Sequence, residues 1–563
     1  MINPLAPGLS NVFIDRVGSP QCMEARAVKW WGWGWEERTL SVESRPALWE
    51  FLRRRLDLDP ARVRRPVPMD QILPQPCLVS PDEIAELRRI VGEENVSGDD
   101  YDRITHAAGK GYRDLVRLRS GRIERVPDLV VFPEDEDSVR RLLEFARRRV
   151  YAVVPFGGGT GVVGGTDTPE GFAATIALDT RRMRSVLDID AASGLVTAEA
   201  GIRGPQLEEA LEGRGLTLGH FPQSWEFSTL GGWIATRAVG GLSNRYGRIE
   251  DLVVGVRLVT PTRTIDLSPL PGRSHGPDLR ELVLGSEGTL GVITQATLRA
   301  HPRPTARRFA SRLFRSFLEG MAVLRAMARD MALPDMAYLS DEEETRFAAA
   351  NAGLAPGGGG PIRRRLEGGS LLLMGFEGTR ADVGFRRRAA VRYARGSLNL
   401  GSRPAERWYA ERFELPYLRD SLLDHGVLVD TVETAASWSS LVAVYEAGRK
   451  ALQEALWKDG SPGLVLCHVS HVYADGASLY YTFLTRQRDR EEIAQWEAIK
   501  AAVTRAFIES GGALSHHHGI GVDHAPYLPR VIGEDGIVVL RALKRELDPE
   551  GIMNPGKLVA VPP

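Results

Sequence analysis

Between Asp114 and Arg303 the apolar positions switch repeatedly between the spacing of strands and the spacing of helices. Pro127-Asp-Leu-Val-Val-Phe-Pro133 is a short apolar run bounded by prolines and predicts a strand. Glu134 to Asp137 then open a segment in which Val139, Leu142, Leu143 and Ala146 share one helical face, and Arg147 to Arg149 close it. Acids at the start and bases at the end complement a helix dipole. Further strands are expected at Val153, Ala173–Leu178, Leu195–Ala200, Leu252–Thr260 and Gly291–Leu298. A helix opening near Pro205 is ended by Gly213 and Gly215. Such alternation predicts an α+β or α/β domain.

His301-Pro-Arg-Pro304 reads as a boundary. Beyond it, helical patterns (Ser316–Met331, Ser439–Trp457) alternate with apolar strands (Leu371–Phe376, Leu479–Leu484), which predicts a second α+β domain. Leu354–Pro361, with four consecutive glycines, is expected to be a mobile loop, and Val538–Leu547 a helix stopped by Asp548-Pro549. The first hundred residues add a helix-like segment near Phe51–Leu58 and four tryptophans between Trp30 and Trp35, read as a packing patch against another domain. With 563 residues the chain exceeds a single core. The expected division is a largely helical region at 1–115, a first α+β domain at 116–303, a second at 304–535, and a returning segment at 536–563.

Composition narrows the class. A net charge of −1 offers no general attraction to nucleic acid or anionic membrane. Cys22, Cys77 and Cys467 are too dispersed for a disulfide framework or zinc cluster, and fit a reducing compartment. No apolar run approaches a membrane span, and Met1–Pro20 lacks the layout of a signal peptide. A cytoplasmic protein is expected, with room for peripheral membrane contact.

The Val153 strand breaks at Pro155 into six glycines between Gly157 and Gly165. Gly159-Thr-Gly161-Val-Val-Gly164 formally matches the dinucleotide fingerprint, which has meaning only where a helix follows. Here Gly165-Thr-Asp-Thr-Pro-Glu-Gly171 follows, and that is turn chemistry. The Rossmann reading fails. A phosphate-cradling glycine loop of another class remains.

Four separated stretches together resemble the vanillyl-alcohol oxidase type (PCMH-type) FAD-binding superfamily: Pro155–Gly161, Pro222–Gly232, Gly285–Ile293 and Asn554-Pro-Gly-Lys557. The resemblance implies an α+β fold with a PCMH-type FAD-binding domain, an FAD-linked oxidase C-terminal cap and a helical N-terminal region. It assigns FAD contacts to Pro155, Gly157, Gly158, Gly159, Thr160 and Gly161 in the glycine loop. It assigns others to Pro222, Ser224, Ser228, Thr229, Gly231, Thr236 and Arg237 beside the flavin, and to Glu287, Gly288, Gly291, Val292 and Ile293 near the adenosine half. Residues 156–166 contain no histidine, so FAD is expected to be bound non-covalently.

Within that superfamily the chain resembles the alkylglycerone-phosphate synthase family, through Lys29–Gly34, Arg125–Val130, Gly219–Ile234, Thr236–Ala238, Tyr246–Leu252 and, most specifically, Ser515-His-His-His-Gly-Ile-Gly521. Such enzymes replace the acyl group of acyl-dihydroxyacetone phosphate by a fatty alcohol through a covalent adduct at flavin N5. The resemblance implies catalytic roles for Tyr480, His516, His517 and His518 and a substrate-binding role for Arg419, whose guanidinium suits a phosphate through paired donors. Tyr481 is the register alternative to Tyr480. If the histidine run is extended, His516 and His518 face one way and His517 the other. No cysteine or acid stands beside the run, so no metal is expected. Where the family pattern leads one to expect a second arginine, the chain has Tyr338, which carries no charge at neutral pH. A 2-hydroxy-acid or alcohol oxidoreductase on the same fold is the competing function. Expected partners are lipid-like small molecules, with no nucleic acid, and with room for a homodimer.

Overall fold

The computed structural model describes residues 28–354, 361–457 and 460–559. The glycine-rich segment after Leu354, Cys22 and the extreme N-terminus lie outside them. Three of the four sheets among the described residues organise the rest, the fourth being the two-stranded pair Leu216–Thr217 and His301–Pro302. A four-stranded sheet runs in the order Val96–Ser97, Leu129–Val131, Thr175–Asp179, Ala152–Phe156, its last three strands parallel. The central strands are buried along their whole length, as β-branched runs covered on both faces must be. The helix Glu136–Arg149 covers this sheet with Val139, Leu142, Leu143 and Ala146, the face read from the sequence, and Asp135 caps its start. A five-stranded antiparallel sheet follows, ordered Val186–Asp190, Leu195–Glu199, Val292–Arg299, Val253–Val259, Thr264–Leu267.

The cap is built on a seven-stranded antiparallel sheet in the order Leu398–Gly401, Ala306–Phe314, Ser370–Gly378, Met336–Ser340, Gly463–Val469, Gly476–Arg486, Val427–Ser437. Its helices Phe317–Arg329, Leu441–Trp457 and Glu492–Glu509 bury Leu324, Leu452 and Val503 in one shared core. Two segments cross from the expected domain boundaries. Val96–Ser97 pairs with Leu129–Val131, so the chain before residue 116 supplies an edge of the first sheet. Near the other end, Met553 bridges Val153, and Ile552 and Met553 are wholly buried in that sheet's core. Leu528–Leu547 is two helical pieces broken at Gly533, whose backbone is non-helical (φ 74°, ψ 165°), and Leu528 in the first and Ile537 in the second are both buried.

The tryptophan patch does pack between domains. Trp33 and Trp35 are buried against Phe227 and Tyr417, with ring centroids 5.6 and 4.8 Å from Phe227. Polar bonds fix the same segment to the cap helix Leu415–Asp424: Lys29 Nζ donates to Asp420 at 3.1 Å, the Trp33 amide reaches both Asp420 oxygens, and the Trp35 amide donates to the Tyr417 hydroxyl at 3.2 Å. Both Lys29 and Asp420 are buried. Asp420→Ala would strand the lysine charge, at a cost of about 3–5 kcal/mol in urea-induced unfolding. An unchanged midpoint would show the pair to be dispensable.

Candidate active site

The four glycine-containing stretches meet at one end of the four-stranded sheet. The glycine loop leaves the strand Ala152–Phe156 and takes no helix before Gly171. It is gripped from behind: a Cβ on Gly158 would overlap the Phe227 carbonyl oxygen, and one on Gly157 the Thr229 hydroxyl. Left-handed φ is needed at Gly159 (61°) and Gly164 (71°). Thr229 is the N-cap of the helix Leu230–Thr236 and accepts from the Gly232 amide. Ser228 accepts from Trp233 Nε1 at 2.7 Å and bonds Ser224. Asn554 ties the loop to the third stretch, donating to the Gly165 and Glu287 carbonyls at 3.0 and 2.6 Å.

These residues fit a dinucleotide. At Gly161 and Gly165 an added Cβ would meet no atom within 4 Å, so the loop has an open concave side next to its packed one. The buried Thr166 and Ser286 hydroxyls have no partner. Several assigned side chains are otherwise employed. Arg237 is left-handed (φ 51°) and binds the Leu284 carbonyl and Glu281. Thr236 bonds the Gly232 carbonyl inside its own helix. Pro222 makes a turn to Trp225, Pro155 packs on Gly288, and Gly291, Val292 and Ile293 lie tight on Val259 and Leu258 in the second sheet. Glu287 turns its carboxylate to the Ile520 and Gly521 amides, just beyond the histidine run. Burial pushes that carboxyl up to about 7.

The histidine run is reached from the cap. The helix Glu492–Glu509 ends at Ser510, Gly511 turns the chain (φ 87°), and Ala513 pairs with Ala435 on the strand Val427–Ser437. Residues 516–518 are bends, not an extended strand. Their amides converge: the Glu433 carboxylate accepts from His516 N (2.6 Å), His517 N (3.0 Å), His518 N (2.9 Å) and Ser515 Oγ (2.8 Å). Burial alone would raise the Glu433 carboxyl, but the imidazoles and amides around it hold it well below the usual range. The alternation expected for an extended run is therefore replaced by three rings fanned around one acid. The expectation that no acid accompanies the run is corrected too, because Glu433 arrives from a distant strand.

The ring positions are well defined. Tyr480 stands opposite Glu433 in the strand register, parallel to His468 at 4.9 Å and to His517 at 5.8 Å, with His518 edge-on at 5.5 Å. Tyr481 points to the opposite face and is buried in the cap core, donating to the Tyr445 carbonyl. His516 Nε2 meets the Tyr473 hydroxyl at 2.6 Å, and its Nδ1 meets His517 Nδ1 at 2.8 Å. Burial pushes all three imidazoles down, His516 to about 3, so they are neutral at neutral pH. Burial pushes the Tyr480 phenol up.

Arg419 sits one residue before the Asp420 anchor. Its Nε is buried without a hydrogen-bond partner. Tyr338, where an arginine was expected, donates to Glu344 at 3.0 Å and meets His468 Nδ1 at 2.7 Å, while His468 Nδ1 lies 2.9 Å from Glu344. A hydrogen-bonded cluster of Tyr338, Glu344 and His468 thus occupies the space beside Tyr480.

Sequence reasoning missed four residues here. Glu433, His468 and His471 belong to strands or strand ends with no motif spacing to the histidines. His220 is wholly buried, 5.0 Å from the Trp233 ring, with neither ring nitrogen partnered; its place inside Gly219–Ile234 was the one available signal.

Comparisons with known proteins agree with this architecture. Residues 127–266 match the FAD binding domain family, and residues 303–558 match the FAD linked oxidases, C-terminal domain family. The chain is 33% identical over 94% of its length to alkyldihydroxyacetonephosphate synthase of Dictyostelium discoideum, covering 93% of that protein. It is 36% identical over 87% of its length to the Trypanosoma brucei brucei protein of the same name, covering 82% of it. A solved alkyldihydroxyacetonephosphate synthase superposes with a TM-score of 0.81 at 31% identity, over 94% of this chain and 98% of that one. The fold extends to p-cresol methylhydroxylase, with a TM-score of 0.68 at 15% identity, over 86% of this chain and 98% of that one. The chain belongs to the alkyldihydroxyacetonephosphate synthase family, with an FAD binding domain and an FAD-linked oxidase C-terminal domain.

Proposed function

We propose that this chain is an FAD-dependent alkyl transferase that exchanges the acyl group of acyl-dihydroxyacetone phosphate for a fatty alcohol, with no net redox change. The observation that carries the reading is the meeting of Tyr480, from the strand Gly476–Arg486, with His517 and His518 in one ring contact network, the histidines lying on a segment that goes on to bond the glycine loop. That second attachment is direct: the Val522 amide donates to the Val163 carbonyl at 3.0 Å. The glycine loop, open at Gly161, and the Ser228–Gly231 stretch would hold FAD, bound non-covalently. When bound and reduced, it supplies a nucleophilic ring nitrogen for substrate C1.

The chain's own residues do the rest. Arg419, with its unpaired buried Nε, presents a guanidinium to the substrate phosphate. Tyr338 being neutral, that charge falls to Arg419. Tyr480 and His518 move the proton at C1: a neutral imidazole accepts it, and the phenol holds a hydrogen bond to the departing carboxylate. As the alcohol oxygen bonds to C1 its proton passes to the released carboxylate or solvent, and the imidazole returns the C1 proton, so that ether and fatty acid form with no net redox change. Exposed Val531, Ile532, Val538 and Val539 on the terminal helix give an apolar surface suited to a bilayer or a second copy of the chain. Among the described residues no helix is long and apolar enough to cross a membrane.

The test is incubation of the purified flavoprotein with palmitoyl-dihydroxyacetone phosphate and labelled hexadecanol. Ether product without an electron acceptor supports transfer; flavin bleaching by a 2-hydroxy acid with no ether product overturns it in favour of the oxidoreductase. Tyr480→Phe and His517→Ala should each lower turnover by at least ~100-fold with the flavin spectrum retained. Loss of FAD from either variant would place these residues at the cofactor instead.

A further inference from the structure

His471, His516 and His517 bring three ligating nitrogens within 4.8 Å of one another, in the protein interior. They come from separate segments: His471 follows the strand Gly463–Val469, while the other two lie on the bend above Glu433. We propose that these three imidazoles bind one divalent transition-metal ion of borderline softness, with Zn²⁺ the best match.

The surroundings are those of a ligand set. A histidine that binds a metal through one nitrogen has its other nitrogen held by a hydrogen-bond partner, which fixes the ring and its tautomer. His471 Nδ1 is held by Ser243 Oγ at 2.9 Å, which leaves Nε2 for an ion. His516 Nε2 is held by the Tyr473 hydroxyl at 2.6 Å, which leaves Nδ1. His517 Nδ1 lies 2.8 Å from that same His516 Nδ1. A tetrahedral ion about 2.0–2.1 Å from each of two nitrogens holds them about 3.3 Å apart, so these two atoms would have to separate by only about half an ångström to admit it. The proton now between the two Nδ1 atoms moves to the far nitrogen of its ring as the ion binds, so both rings enter the set as neutral imidazoles. The Glu433 carboxylate, 3.8 Å from His517 Nδ1, compensates the ion's charge without entering the set.

Donor chemistry selects the metal class. Three neutral imidazoles favour Zn²⁺ over Mg²⁺ and Ca²⁺, which require oxygen donors. Three protein ligands leave a tetrahedral ion one position for water or a substrate oxygen. Tyr480 and His518 stay outside the set and keep their proton-handling roles. The site stands independently of the alkyl-transfer reading, because metal content is read without turnover.

The experiment uses untagged FAD-loaded protein prepared without chelator, with metal measured by mass spectrometry. The protein is then stripped by chelator and titrated calorimetrically with Zn²⁺ and Mg²⁺. The expected result is about one Zn²⁺ per chain with no Mg²⁺ uptake, and affinity lowered at least ~100-fold by His471→Gln at unchanged flavin content. Should that variant lose its flavin, Ser243→Ala replaces it, with a ~10–100-fold weaker affinity expected. No saturable Zn²⁺ uptake by the wild-type protein, or uptake unaffected by these substitutions, overturns the proposal.

Discussion

Glu433→Ala is expected to lower turnover by at least ~100-fold while the protein stays folded and flavin-bound, because misplacing catalytic groups by about an ångström has that effect. The carboxylate accepts four hydrogen bonds from Ser515 to His518, and among the described residues the His516, His517 and His518 amides bond no other acceptor. Removing it leaves the amides seeking acceptors in the interior, at about 1–3 kcal/mol each, so the bend opens and the rings lose their relation to Tyr480. Glu433→Gln is a sharper variant. Its amide oxygen can replace one carboxylate oxygen, but its NH₂ faces donors, so it should fall between wild type and alanine. The loss should appear in kcat more than in KM, since the bonds Glu433 makes hold the loop that carries the histidines. Activity within about threefold of wild type in Glu433→Ala would show that the bend holds itself without the acid.

Gly158→Val is expected to empty the protein of FAD. The glycine-loop motif suggested a close approach to phosphate and a left-handed backbone at this position. The structure relocates both reasons. Left-handed φ belongs to Gly159 and Gly164, and the space beside Gly158 is filled by the Phe227 carbonyl and Ser228 Cα. A β-branched side chain there must push backbone against backbone, and overpacking of that kind costs about 1–3 kcal/mol or more. It separates the glycine loop from the Ser228–Gly231 stretch, the two walls of the proposed flavin site. Gly161→Ala is the matched control. Its Cβ meets no protein atom, so the apoprotein should melt as wild type while FAD affinity falls. Full flavin occupancy in Gly158→Val, measured by the absorbance ratio of flavin to protein, would remove the loop from the cofactor site.

How far the site could be read from the chain follows the kind of signal each residue leaves. The glycine loop, the helix Glu136–Arg149 and the strand Ala152–Phe156 are local: periodicity, caps and glycine density lie within a few residues of the structure they specify. The Rossmann alternative could be discarded for the same reason, since the missing helix would have been local too. Tyr480 against Tyr481 was not decidable from spacing alone. It became so when pairing with Val427–Ser437 set one ring facing the histidines and the other inside the cap. Glu287 carried a cofactor assignment by position, yet its side chain serves the loop after the histidines.

The sequence by itself determined the domain classes, the flavin-type glycine loop, the two-domain order and the inventory of reactive side chains, because hydrophobic period and backbone freedom are short-range properties of the chain. Only the tertiary structure decided what those side chains face. Glu433 under the histidine bend, His471 beside it, Tyr338 closed into a cluster with Glu344 and His468, and Arg419 positioned by the Lys29–Asp420 pair are all products of strand register and domain contact. Such contacts join residues scattered over much of the chain, and a linear pattern carries no record of which distant strand will lie alongside.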